Sequence, residues 1–131
     1  MDKKKLFIRL TLLVIFIFIL NFIASKLYWY SSLWWFDMPM HFLGGFWLGL
    51  AFLWLIPIDE PSLSKVFKII IGVLIIGIFW ELFEIGVNDI LAKSPFDMVD
   101  TVSDLFFDIS GGFASMIYFF TRIMRIVPNT L

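Results

Sequence analysis
Three aspartates at intervals of four, Asp100, Asp104 and Asp108, sit in a stretch that is otherwise mostly apolar. Leu105, Phe106, Phe107 and Ile109 lie among them, and the run from Phe113 to Phe120 follows. On a helix this spacing lines the three carboxylates along one face, about a turn apart. Like charges so stacked repel, and in or near lipid each costs roughly 2.5–3.5 kcal/mol on insertion scales. A helix of this kind folds only where other parts of the chain compensate its acidic face.

Composition defines the surroundings. Of 131 residues, 61% are hydrophobic and 20% aromatic, with a mean hydropathy of +0.96. A soluble domain of this length has no interior large enough for so much apolar surface, which implies an integral membrane protein. Cysteine is absent, which excludes disulfides, thiolate metal sites and thiol nucleophiles. No basic face for nucleic acid is visible, and the net charge is -1. The single histidine is His41.

Four apolar runs emerge along the chain. A basic head, Met1 to Lys5, precedes Leu6 to Ser25, about the length of one span. A cleaved signal peptide is the competing reading, but no small-x-small cleavage site follows, so the run is expected to be a retained helix. Arg9 is near enough to its end to snorkel. Lys26 to Phe36 is dense in Trp and Tyr and reads as an interfacial connector. The second span starts near Asp37, which can cap it, with Pro39 in the first turn. Within it, Gly45 and Gly49 share a face and permit close helix packing. Pro57 to Pro61 breaks the chain before a third span bearing Glu81, Glu84 and Asn88 on one face. Ala92 to Phe96 is the next break. The expectation is an all-α, four-helix membrane bundle in one domain, with helices at about 6–25, 38–56, 66–91 and 100–126.

Lysine and arginine set the orientation. With the N-terminus inside, the inner ends hold Lys3, Lys4, Lys5, Arg9, Lys65, Lys68, Arg122 and Arg125, against Lys26 and Lys93 outside. Both termini are therefore expected to be cytoplasmic, in the inner membrane. Eight of the eleven acids then fall in the outer halves or outer loops. Asp37 and His41 by themselves are as readily a helix cap and a satisfied interfacial histidine. Asp89 and Asp97 read better as solvated loop residues, and Asp100 is open to the same reading. Glu81, Glu84, Asp104 and Asp108 are another matter, because intramembrane carboxylates are rare and no lysine or arginine lies at their depth. They must be protonated, hydrated in a cavity or bound to a cation. Carboxylates with one imidazole suit Mg²⁺, Mn²⁺, Ca²⁺ or Zn²⁺. The candidate ligand set is Asp37, His41, Glu81, Glu84, Asp100, Asp104 and Asp108.

In order, Asp37-x-x-x-His41-Phe42, Glu81-x-x-Glu84 and Asp100-x-x-x-Asp104-x-x-x-Asp108-x-x-Gly111 resemble the motifs of the VanZ-like superfamily of small membrane proteins. Typical members carry glutamine at the position of Glu84 and asparagine at that of Asp108. The carboxylates here look closer to an acidic, uncharacterised inner-membrane branch. The resemblance implies a cell-envelope protein and an association with glycopeptide (teicoplanin) resistance.

Two function classes follow. In the enzyme reading, a divalent-metal-dependent hydrolase or transferase acts on a membrane lipid or lipid-linked envelope precursor, with Glu81, Glu84 and His41 as catalytic candidates. In the binding or transport reading, the cluster is a lipid, glycopeptide, cation or proton site without turnover. Transport would need ionisable groups in the inner halves of helices two to four, and there are none comparable. A purely structural network of carboxylates explains so many acids badly.

Overall fold
In a computed structural model, residues 2–56 and 60–124 are described. All regular structure among them is helical. The helices are α1 (Lys3–Lys26), α2 (Trp29–Ser32), α3 (Asp37–Leu55), α4 (Leu63–Val87) and α5 (Met98–Tyr118). α4 and α5 each continue into a π-helical turn, Asn88–Ala92 and Phe119–Ile123. The break expected at 57–61 and the last residues of the fourth span, 125–126, lie partly or wholly outside the described residues.

Local chemistry sets the ends. The Asp2 side chain accepts from the Lys5 amide and opens α1 three residues before the apolar run. Tyr28, in a left-handed conformation (φ 56°), separates α1 from α2. α2 lies within the expected connector, where the rings of Trp29, Tyr30 and Trp35 gather about buried Phe36. Lys93, also left-handed (φ 49°), stops the π turn after α4. Asp97 caps α5 by accepting from the amides of Val99 and Asp100. Its negative charge also suits the helix N-terminus.

α1, α3 and α4 with its π turn are long and apolar enough to cross a membrane. α5 is the exception in composition, and its faces are segregated. Phe106, Phe113 and Ile117 are exposed, whereas Asp104, Asp108, Gly111, Gly112 and Ser115 are buried. This inverts the pattern of a soluble amphipathic helix, as a lipid surround requires. The four long helices form the membrane bundle.

α3 is central and packs most extensively on α5. Small residues allow that approach. A Cβ on Gly45 would collide with the Asp108 backbone carbonyl, and one on Gly111 with the Phe42 carbonyl. Gly49 faces Ser115 in the same seam. The end of the bundle away from α2 is an apolar core of Leu6, Leu10, Leu50, Leu53, Ile69, Val73, Met116, Phe119 and Ile123. α1 is tied on by polar contacts: Trp47 Nε1 donates to the Leu10 carbonyl (2.9 Å), and Arg9 donates to Tyr118 Oη (2.6 Å). The Arg9 guanidinium also lies 5.5 Å from the Tyr118 ring centroid. Arg9 thus turns to a partner within the bundle.

Candidate functional site
The polar side chains meet at the end where α3 and α5 begin and α4 stops. His41 is one turn into α3, Glu81 about two turns from the end of α4, and Asp104 about two turns into α5. At the helical rise these positions are about 6–9 Å from their helix ends. Three separate stretches of chain therefore deliver side chains to one level.

His41 is the hub. Its Nδ1 is 3.1 Å from Asp108 Oδ1, a hydrogen bond in which the imidazole N–H donates to the carboxylate. Nε2 then faces Asp104 Oδ2 at 3.6 Å, Asp37 Oδ2 at 3.7 Å and Glu81 Oε1 at 4.0 Å. Those three separations are too long for hydrogen bonds. His41, Asp104, Asp108 and Glu81 are only 7%, 2%, 5% and 5% exposed. Glu81 Oε1 is fully buried and has no hydrogen-bond partner among the described residues. An orphaned carboxylate oxygen at this depth is costly to leave unmatched.

Ligand atoms of His41, Glu81, Glu84 and Asp104 all lie within 4.8 Å of one another, as do those of Asp37, Asp100 and Asp104. All seven residues in the candidate ligand set thus come to one neighbourhood, in three roles. Asp104 is common to both groups. Asp100 is exposed at the rim. Asp108 lies on the Nδ1 side of the imidazole, where it orients the ring; carboxylate–imidazole pairs behind metal sites have this arrangement.

Asp37 does not cap α3: Phe36 occupies the cap position, no side-chain capping bond forms, and Asp37 is the first helical residue, turned toward His41. Asp97, read as solvated, is exposed but caps α5. Asp89 is exposed in the π turn.

The cluster opens into a cleft of about 1100 Å³ flanked by α1 and α4. Val14, Ile17 and Phe18 of α1 and Ile76 and Trp80 of α4 form its walls, with Gly44, Trp47 and Leu48 of α3 behind. Asn21 and Tyr30 stand at the polar end, where Tyr30 Oη donates to Asn21 Oδ1 at 2.7 Å. Burial, with Asp37 and then Glu84 nearby, pushes the Tyr30 phenol up to about 12, so it remains a donor. Asn21 was legible only as the polar residue of the first span, and Tyr30 was hidden among the connector aromatics.

A membrane bundle enclosing a buried carboxylate–imidazole cluster is the class that this fold and site define. Residues 2–125 match the family described as "Predicted membrane protein (DUF2238)", and the chain belongs to that family. No curated protein and no solved structure matches it.

Proposed function
We propose that the protein is a divalent-metal-dependent enzyme of the inner membrane, acting on a lipid or lipid-linked substrate of the cell envelope. The observation that carries this reading is Glu81 Oε1, which faces His41 Nε2 and is buried without a partner among the described residues. The ligand-atom spread suits a cation with oxygen ligands at about 2.0–2.6 Å, as for Mg²⁺, Mn²⁺ or Ca²⁺. His41 Nε2, Glu81, Glu84 and Asp104 would hold it, and Asp108 would fix the imidazole. The bound cation would polarise a phosphoryl or carbonyl oxygen of the substrate. Glu84, half-buried and lining the cleft, is the carboxylate best placed to take a proton from water.

The similarity of the ordered motifs to the VanZ-like superfamily supports an envelope role. A binding protein without turnover, for a lipid or a glycopeptide, uses the same groups. Against an ion-coupled transporter stands the apolar core filling the other end of the bundle among the described residues.

The enzyme reading is tested in lipid nanodiscs holding phosphatidic acid, phosphatidylglycerol or a polyprenyl diphosphate. Phosphate or headgroup release is expected with Mg²⁺ or Mn²⁺, lost with chelator, and reduced at least 100-fold in Glu81→Gln. Cation binding without release from any of them would replace the enzyme with a binding protein.

Orientation has its own test. With both termini cytoplasmic, cysteines at Ser31 and Ser94 should react with an impermeant thiol reagent added to intact cells, and one at Ser62 should not. Labelling of Ser62→Cys alone would invert the topology.

A further inference from the structure
The cleft flanked by α1 and α4 joins two unlike surfaces. At one end are His41, Glu81 and Glu84; beyond them the walls are apolar, Val14 and Ile17 against Ile76 and Trp80. From His41 to Leu48, or from Glu84 to Ile76, the passage runs about 10–12 Å along the helices. Both flanking helices are membrane-crossing in length and composition, and Phe18, Ile76 and Trp80 are exposed beside the opening. Between α1 and α4 the cleft thus opens on a side of the bundle that a bilayer would cover, while Asp89, Ser94 and Asp97 line its polar end. Apolar walls do not hold water well, and an empty gap forfeits dispersion contacts on both sides.

Gly44 stands at the junction. It is one turn from His41 on the cleft side of α3, and a Cβ there would meet nothing within 4 Å among the described residues. Its neighbour Gly45, in contrast, is locked against α5. Helix packing explains Gly45 and leaves Gly44 unexplained. A side chain at Gly44 would narrow the passage from the apolar trough to the carboxylates.

We propose that this trough seats one hydrocarbon chain of a phosphate-headed membrane lipid, which enters sideways from the bilayer and presents its phosphate at the His41–Glu81–Glu84–Asp104 cluster. The assignment rests on the cation-site reading above and names its substrate class. The continuity of trough and cluster within one cleft supports it: such a lipid joins an apolar chain to an anionic head, which a cation on the cluster would hold.

The test uses full-length protein in nanodiscs with two photoreactive probes carrying the same diazirine-bearing acyl chain, a non-hydrolysable phosphonate analogue of phosphatidic acid and diacylglycerol. With Mn²⁺ present, cross-links from the phosphatidic acid probe should fall on Val14, Ile17 and Ile76 at least fivefold more often than those from diacylglycerol. Gly44→Leu should cut this labelling at least fivefold, while labelling of the outward Phe79 and Phe113 and the binding of Mn²⁺ stay unchanged. Equal trough labelling by both probes in a protein that binds Mn²⁺ would mean ordinary bilayer solvation and overturn the inference alone. Failure to bind Mn²⁺ would overturn the cation-site reading on which it rests. Undiminished labelling in Gly44→Leu would remove Gly44 from the passage and refute the route.

Discussion

Chelation of divalent cations should lower the melting temperature of the purified protein by on the order of 10 °C. A ligand that binds only the native state stabilises it by about 2.7 kcal/mol at a hundredfold excess over its Kd. Asp104→Asn should abolish this response, because Asp104 is shared by both groups of ligand atoms. The same substitution should make the chelated protein more stable than chelated wild type. Two unit charges about 4 Å apart repel by about 4 kcal/mol at an effective dielectric constant of 20, an upper figure since protonation relieves part of it. Removing a carboxylate charge from a cluster that has lost its cation is thus favourable. Thermal unfolding of both proteins with and without chelator checks both signs. A chelator response that persists in Asp104→Asn would remove Asp104 from the ligands.

Gly111→Leu should unfold the bundle or leave it severely destabilised, whereas Gly44→Ala should be neutral or slightly stabilising. The new Cβ at Gly111 would land on the Phe42 carbonyl and near the Phe46 amide, which are backbone groups that cannot swing aside. Separating α3 from α5 is the only relief. Overpacking a tight site costs typically 1–3 kcal/mol, and more where backbone must move. The His41–Asp108 hydrogen bond lies within one turn of this contact, so cation binding should weaken with it. At Gly44 there is open space, and alanine gains up to about 1 kcal/mol in helix propensity. Denaturant unfolding in mild detergent distinguishes the pair. Equal effects at Gly44 and Gly111 would contradict the close α3–α5 seam.

Much of the arrangement was legible because helices have one period and one rise. The spacings 37/41, 81/84/88 and 100/104/108 predict three polar faces, and the distances of these residues from their span ends predict a shared level. The division of labour among the aspartates was not legible. Each step of four residues overshoots a full turn by about 40°, so Asp108 is rotated about 80° from Asp100. Asp100 therefore reaches the rim, Asp104 the centre and Asp108 the far side of the imidazole. The Asp37 cap failed because α3 starts at that residue, leaving its carboxylate free to turn toward His41. The cleft was hidden for another reason: α1 is apolar on every side, so no periodicity marks which side faces α4. Gly45 was marked by its spacing from Gly49, whereas the open space beside Gly44 shows only in the packing.

Anomalous diffraction from crystals grown with Mn²⁺ tests the central claim most directly. The expected result is a peak within coordinating distance of His41 Nε2, Glu81 Oε1 and an Asp104 oxygen, absent from crystals of Asp104→Asn. A map with no peak at that position, or with manganese only on the exposed carboxylates of Asp89 and Asp97, would contradict a cation-binding centre in this bundle.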